Sequence, residues 1–322
     1  MRLAAGLCAA WTLFAGASAC AQGAYPDHSI RMVVPFPPAG AGDLGARVMS
    51  EALTAVLRQP VVVDNRPGAN GNIGADNIAK SPPDGYSVLF GPMSTLTINP
   101  HIYVKIPFSV ERDLAPVAKV FDTAMVIEAN PGTGFKTLND LIAYAKANPG
   151  KLTFGSGGNG SSTHMAGELF KNATHTNLVH VPYKGNGPAL ADLLGGTVNV
   201  MFDQVVSSAQ HINAGKLTAL AVTSPARQPL LPKVPTVREL GYPQLEMSAW
   251  QAILAPAGTP APIIDKLSKA VGEVLKDPAV KKRLEALGAT VSATDAAGLA
   301  KVLQEENQRW KQVVAAQKIK SD

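Results

Sequence analysis

The chain has 322 residues, of which 46% are hydrophobic and 16% charged, with a formal net charge of +5. That composition is globular rather than disordered, and the length suffices for two lobes of ordinary domain size. The positive charge is spread along the sequence with no basic stripe interleaved with aromatics, which speaks against a nucleic-acid partner.

The N-terminus reads as an address. Arg2 precedes an apolar run over residues 3–16 whose one polar residue is Thr12, and small residues then offer cleavage after 17–19 or 19–21. Residues 1–21 are therefore expected to be a removed secretory signal that places the protein in the periplasm. The run is shorter than the roughly 20 residues that span a bilayer. Both cysteines, Cys8 and Cys20, lie in or beside it, so the mature body is expected to hold no disulfide. Cys20 leaves a lipid-anchored N-terminus as the alternative, disfavoured because Ala17 stands where such a signal carries Leu.

Beyond the signal, residues 30–34 form a strand that runs into a turn, Pro35-Phe36-Pro37-Pro38-Ala39-Gly40-Ala41-Gly42-Asp43. Leu44, Val48, Ala52 and Val56 recur at i+4 and predict the helix behind it, with Asp43 placed to cap it. Strands follow at 61–63 and 87–90, separated by a helix over 72–80 and the turn Pro82-Pro83-Asp84-Gly85. Residues 91–97 read as a loop carrying three hydroxyls. Two extended segments, 117–120 and 124–128, are expected to carry the chain into a second lobe. Thr137 with Asp140 predicts a capping box opening a helix that ends at Asn148-Pro149-Gly150.

The strand over 153–156 then runs into a second glycine-rich turn, Gly157-Gly158-Asn159-Gly160-Ser161-Ser162-Thr163-His164, with Met165, Leu169 and Phe170 on the inner face of the helix after it. A strand to Val181, a helix to Gly196, and strands over 198–203 and 217–223 follow, and the chain recrosses near 222–225. Thr236 with Glu239 marks a short helix ending at Gly241. A strand over 250–254 precedes three amphipathic helices, 263–276, 278–287 and 295–316. The second of these carries Lys281, Lys282 and Arg283 on what reads as a solvated face. Alternating strands and helices predict an α/β fold with mostly parallel sheets. The predicted organisation is lobe 1 from 22–122 plus 225–322 and lobe 2 from 123–224, with a binding cleft between them at the carboxyl ends of the strands.

The two glycine turns are the main chemical signal. Each follows an apolar strand and opens a helix, so each points unpaired N–H groups at an anion. Each is followed by another strand and a bend holding a cation and glycines, Asn65-Arg66-Pro67-Gly68 and Tyr183-Lys184-Gly185. Arg66 and Lys184 are matched ligand-binding or solvated cations. Ser156, Ser161, Ser162 and Thr163 exceed what one helix cap needs, and the surplus suits neutral donors to a carboxylate. Asp203 ends a strand, where it either accepts from a ligand or caps the following helix. His164 is expected to hold the second turn by hydrogen bonding. Gly155 to Gly160 also matches G-x-G-x-x-G, yet the acidic residue of a dinucleotide site is missing from the end of the next strand, which reads His180-Val181-Pro182. No G-x-S-x-G elbow, H-E-x-x-H motif or Cys cluster is present, and no Ser has a His partner at a recognisable spacing. Neither catalysis, nor a cofactor, nor a metal is expected.

With these residues in place, the chain resembles the Bug-type substrate-binding receptors of tripartite tricarboxylate transporters. The resemblance rests on Val34-Pro35-Phe36-Pro37-Pro38, Asn65-Arg66-Pro67-Gly68-Ala69-Asn70-Gly71, Pro83-Asp84-Gly85-Tyr86, the second glycine turn, Val181-Pro182-Tyr183-Lys184-Gly185 and Leu254-Ala255-Pro256-Ala257-Gly258-Thr259-Pro260. It implies a type II periplasmic-binding fold, a Venus flytrap of two α/β lobes joined by two crossing strands. It also implies a monomer that captures a small organic carboxylate and delivers it to membrane transporter subunits. The ligand contacts it implies are Phe36, Ala39, Gly40 and Ser94 in the first lobe. In the second they are Ser156, Gly157, Gly160, Ser161, Ser162 and Asp203. Ala39, where the family usually has Gly, and Gly42, where it often has Thr or Ser, depart from the pattern. A ligand-presenting protein for a sensor kinase is the nearest alternative, and a secreted hydrolase the next.

Overall fold

The computed structural model describes residues 25–38, 41–317 and 319–320. The expected signal at 1–21, with Cys20, lies outside them, as do Ala39 and Gly40. In the first half β1 (Ile30–Val34), α1 (Ala41–Leu57), β2 (Val61–Asn65), α2 (Asn72–Ala79) and β3 (Ser87–Pro92) follow in order. The segment expected as a loop is instead a π-helical turn, Ser94–Ile98, running into α3 (Asn99–Ile102) and then α4 (Val110–Asp113). The two extended segments predicted around 117–128 are one strand, β4 (Leu114–Ala129).

Next come α5 (Leu138–Ala147), β5 (Thr153–Ser156), α6 (Ser162–Thr174), β6 (Val179–Pro182), α7 (Asn186–Gly195), β7 (Val200–Gln204), α8 (Val205–Asn213) and β8 (Thr218–Val222). The Thr137–Asp140 capping box forms as expected, with both reciprocal bonds made. The chain closes with β9 (Ser248–Pro256), α9 (Ala261–Val274), α10 (Pro278–Ala286), β10 (Ala289–Thr294) and α11 (Ala296–Gln317). The Thr236–Glu239 box also forms, but residues 237–241 make only hydrogen-bonded turns, because Thr236 is tied to Val222 in a bridge and Pro243 stops the chain.

On α1 the i+4 row reaches the core in part: Val48 is buried and Ala52 and Val56 pack half-buried against it, beside Ala46, Met49, Leu53 and Leu57, while Leu44 is 40% exposed. Gly45 allows the close approach, since a Cβ there would lie 2.7 Å from Phe121 Cζ on β4.

The strands form a sheet in the order β2-β1-β3-β9-β4-β7-β5-β6, with β8 and β10 also on β4. Parallel pairs join β1 to β2 and β3, and β5 to β6 and β7. Every pairing of β4, and that of β3 with β9, is antiparallel, so the sheet is mixed rather than mostly parallel. The reason is β4 itself. Its residues 114–124 pair with β9, and 125–129 pair with β7, both strands from the second half of the chain that run against it. Thr223 closes the return, with its N–H donating to Met125 O and Met247 N–H donating to Thr223 O. One apolar core, including Leu89, Leu96, Ile127, Phe154 and Phe202, runs beneath both halves. A second core lies between the sheet and α1, α9 and α10, helices from opposite ends of the chain.

Candidate functional site

The second glycine turn is built where β5 ends and α6 begins. Ser161 is the N-cap: its hydroxyl accepts from His164 N–H at 3.2 Å and donates to Gly158 O at 2.7 Å. Gly157 N–H donates to Thr163 Oγ1 at 2.9 Å, and that hydroxyl lies 3.3 Å from Asn186 Oδ1. Gly158 N–H donates to Ser156 Oγ at 3.1 Å, and Gly160 N–H donates to His164 Nδ1 at 3.1 Å. His164 thus holds the turn, as expected. The supply of hydroxyls is smaller than it looked: Ser156, Ser161 and Thr163 are spent on the turn's own geometry. Ser162, half-buried, makes no side-chain hydrogen bond among the described residues. Gly160 is favoured by a φ of +74°, and Ile102 Cδ1 packs where its Cβ would stand.

In the first half the turn after β1 is tied down from behind. Asn65 Nδ2 donates to Phe36 O at 3.0 Å and to Asp43 Oδ1 at 2.9 Å, while Arg47 Nε donates to Asp43 Oδ2 at 3.0 Å. Phe36 is half-buried. Ser94, buried just past the end of β3, makes no side-chain hydrogen bond among the described residues. Each half therefore holds one uncommitted hydroxyl beside a strand's carboxyl end. Of the two candidate cations, Arg66 is half exposed and pairs with Asp64 at 2.9 Å, and Lys184 is exposed.

Asp203 is fully buried one layer beneath the second turn. Its Oδ1 accepts from Gln204 N–H at 2.8 Å and from Asn186 Nδ2 at 3.0 Å, so it serves the chain entering α8 and links through Asn186 to Thr163. Behind it Ser208 Oγ stands 2.8 Å from Glu128 Oε1 and 3.4 Å from Asp203 Oδ2. Burial pushes Asp203 up to about 6. Burial first, and then the Asp203 charge, pushes Glu128 well above the carboxylate range, and its Oε2 has no partner. Sequence reasoning missed Glu128, Ser208 and Asn186, which carry no motif and are joined only by the sheet and α8.

It also missed a Ser–His contact. Ser156 Oγ lies 2.6 Å from His180 Nε2, because β5 and β6 pair in register with Phe154 opposite His180. The pair is not a nucleophile and base. Ser156 is fully buried, and burial with the neighbouring His164 pushes His180 down to about 3, too weak to take a serine proton at neutral pH. The His180 ring stacks on His164 at 3.8 Å, a structural use of both imidazoles.

This architecture can be set against known proteins. Residues 45–319 match the model of the tripartite tricarboxylate transporter family receptor. The chain belongs to that family. It is 42% identical to protein BugT of Bordetella pertussis strain Tohama I, over 90% of this chain and 89% of that one. The structure of the periplasmic binding protein BugD is similar with a TM-score of 0.78 at 34% identity, covering 92% of this chain and all of that one (100%). That of R. palustris Rpa4515 with adipate is similar with a TM-score of 0.81 at 32% identity, covering 92% and 99%. The α/β periplasmic-binding fold expected from the sequence is the one this receptor shares with them. The family is one of solute-binding receptors, not of enzymes.

Proposed function

We propose that this receptor captures a small organic carboxylate between two lobes in the periplasm and hands it to the membrane subunits of a tripartite transporter. Lobe 1 comprises 22–122 with 225–322, and lobe 2 comprises 123–224. One observation carries the reading: the second turn meets the first half directly, Asn70 Nδ2 donating to Gly160 O at 3.2 Å. The turn regions, with Ser94 on one side and Ser162 on the other, therefore flank one space. A carboxylate there would take neutral donors, the Ser94 and Ser162 hydroxyls with backbone N–H groups of the first turn at Ala39 and Gly40, since the Gly157, Gly158 and Gly160 N–H groups donate within the second turn. Phe36 would supply apolar contact. Ser156, Gly157, Gly160, Ser161 and Asp203 would shape the second-lobe wall. Hydrogen bonds to a charged group contribute about 1.5–3 kcal/mol each, so a few account for the roughly 8 kcal/mol of a micromolar complex.

The adipate complex of Rpa4515 makes dicarboxylates the first probes. In a thermal-shift panel of mono-, di- and tricarboxylates, at least one acid should raise the melting temperature and bind at one per chain by calorimetry, without turnover. A bound acid converted to product would overturn the receptor reading, and a panel with no binder would overturn the carboxylate.

A further inference from the structure

Residues 68–71 hold four successive positive φ angles: Gly68 at 131°, Ala69 at 46°, Asn70 at 50° and Gly71 at 92°. Two of the four are not glycine, and such backbone persists only where its surroundings over-determine it. Here they do. Asn70 O accepts from Thr95 Oγ1 at 3.0 Å and from Asn99 Nδ2 at 2.9 Å, and Asn99 Nδ2 also donates to Asn72 Oδ1 at 2.7 Å. Thr95, Asn99 and Asn72 are all buried, so the loop is clamped within the first half. Gly71 closes the clamp, since a Cβ there would overlap Thr95 Oγ1.

One group leads out of this network. The Asn70 carboxamide donates to Asn99 Oδ1 at 2.8 Å and to Gly160 O at 3.2 Å in the second turn. Ile102, on α3 just beyond Asn99, packs its Cδ1 where a Gly160 side chain would stand. Gly160 is thus gripped on both sides, its N–H by His164 and its carbonyl by Asn70.

We propose that Asn70 is a positioning residue for capture: a latch, preset by the strained loop, that ties the second glycine turn to the first lobe and sets how long the closed receptor holds its ligand. The proposal rests on the two-lobe reading above. Because the clamp lies wholly in the first lobe, opening breaks the Asn70–Gly160 bond and the Ile102 contact and leaves the clamp itself in place. The latch then acts on release more than on association.

The test uses the mature receptor with adipate as the probe. Asn70→Gly removes the carboxamide while relieving the left-handed backbone, and Asn70→Asp keeps its size but cannot donate to Gly160 O. Both variants should release adipate at least fivefold faster with association rates within twofold of the parent. Without ligand, both should scatter as more extended particles. Asn70→Gly should melt within a few degrees of the parent, a separation of release from stability that a merely structural asparagine would not give. Parent-like release and parent-like scattering in both variants would overturn the latch alone. A parent whose scattering stays the same when saturated with adipate would overturn lobe closure, and the latch with it. A parent that binds no adipate at all would count against the dicarboxylate reading, and scattering of the ligand-free variants would still decide the latch.

Discussion

Two adjacent serines separate structure from recognition at the level of single residues. Ser161 is an N-cap, and removing such a hydroxyl costs about 0.5–2 kcal/mol of stability. Ser162 has a hydroxyl with no partner among the described residues, at the mouth of the same turn. Ser161→Ala should therefore lower the melting temperature with little change in carboxylate affinity. Ser162→Ala should leave the melting temperature alone and weaken binding about tenfold, the equivalent of about 1.4 kcal/mol. Melting curves and titration calorimetry on the two single variants check both halves. Equal losses of affinity would place both hydroxyls on the ligand. From the sequence alone the pair could not be divided, because either serine stands where a cap is needed.

Among the secondary-structure elements, close approach decides which glycines matter. On α2, a Cβ at Gly74 would lie 2.8 Å from Pro35 Cβ and 2.9 Å from Arg66 O, so this helix is seated against the backbone that leads into the first turn. On α9, Gly272 has nothing within 4 Å of that position. Gly74→Ala should destabilise by about 1–3 kcal/mol through overpacking, despite the better helix propensity of Ala. Gly272→Ala should instead stabilise by up to about 1 kcal/mol. Denaturant unfolding of the two variants is the measurement, and a Gly74→Ala protein as stable as the parent would mean that α2 can shift. The same logic applies to α1: the i+4 row from Val48 to Val56 and the row one step round both pack on the core, Leu44 turns to solvent, and Gly45 makes the close contact with Phe121.

In the whole molecule, three buried groups give stability a pH dependence. Asp203, ordinarily near 3.8 and pushed up to about 6, and Glu128, ordinarily near 4.5 and pushed higher, keep protons that the unfolded chain releases. Their contribution is complete below about pH 4 and is lost as pH rises, through about 6 for Asp203 and through the raised value of Glu128. His180 runs the other way: it refuses a proton that the unfolded chain accepts near 6.5, so its contribution is lost as pH falls towards about 3. Among the described residues no Lys, Arg or His charge bears on either carboxyl, and Asp203 is the one charge that faces Glu128. Glu128→Gln mimics the protonated acid and should be more stable than the parent above about pH 5. The gap should widen by roughly 1.4 kcal/mol per pH unit until Glu128 ionises in the parent. Unfolding free energies of both proteins from pH 5 to 8 would show it, and a gap independent of pH would rule it out.

The sequence by itself determined the strand–turn–helix order, both glycine turns, the Thr137 cap, His164 as the holder of the second turn, and the receptor family. These are local features: apolar period, capping residues and glycine placement act within a few neighbours. Contacts between distant segments were beyond it. That 117–128 is one strand pairing with β9 along its first part and β7 along its last, that β10 exists, and that Ser156 meets His180 all depend on which strands pair. So do the Glu128–Ser208–Asp203 chain and the reach of Asn70 to Gly160, which join residues 75, 80 and 90 positions apart or bring together groups with no motif between them. Only the tertiary structure decided which hydroxyls are spent and which are free, because a hydrogen bond is settled by distance in space, and the folded sheet sets that distance.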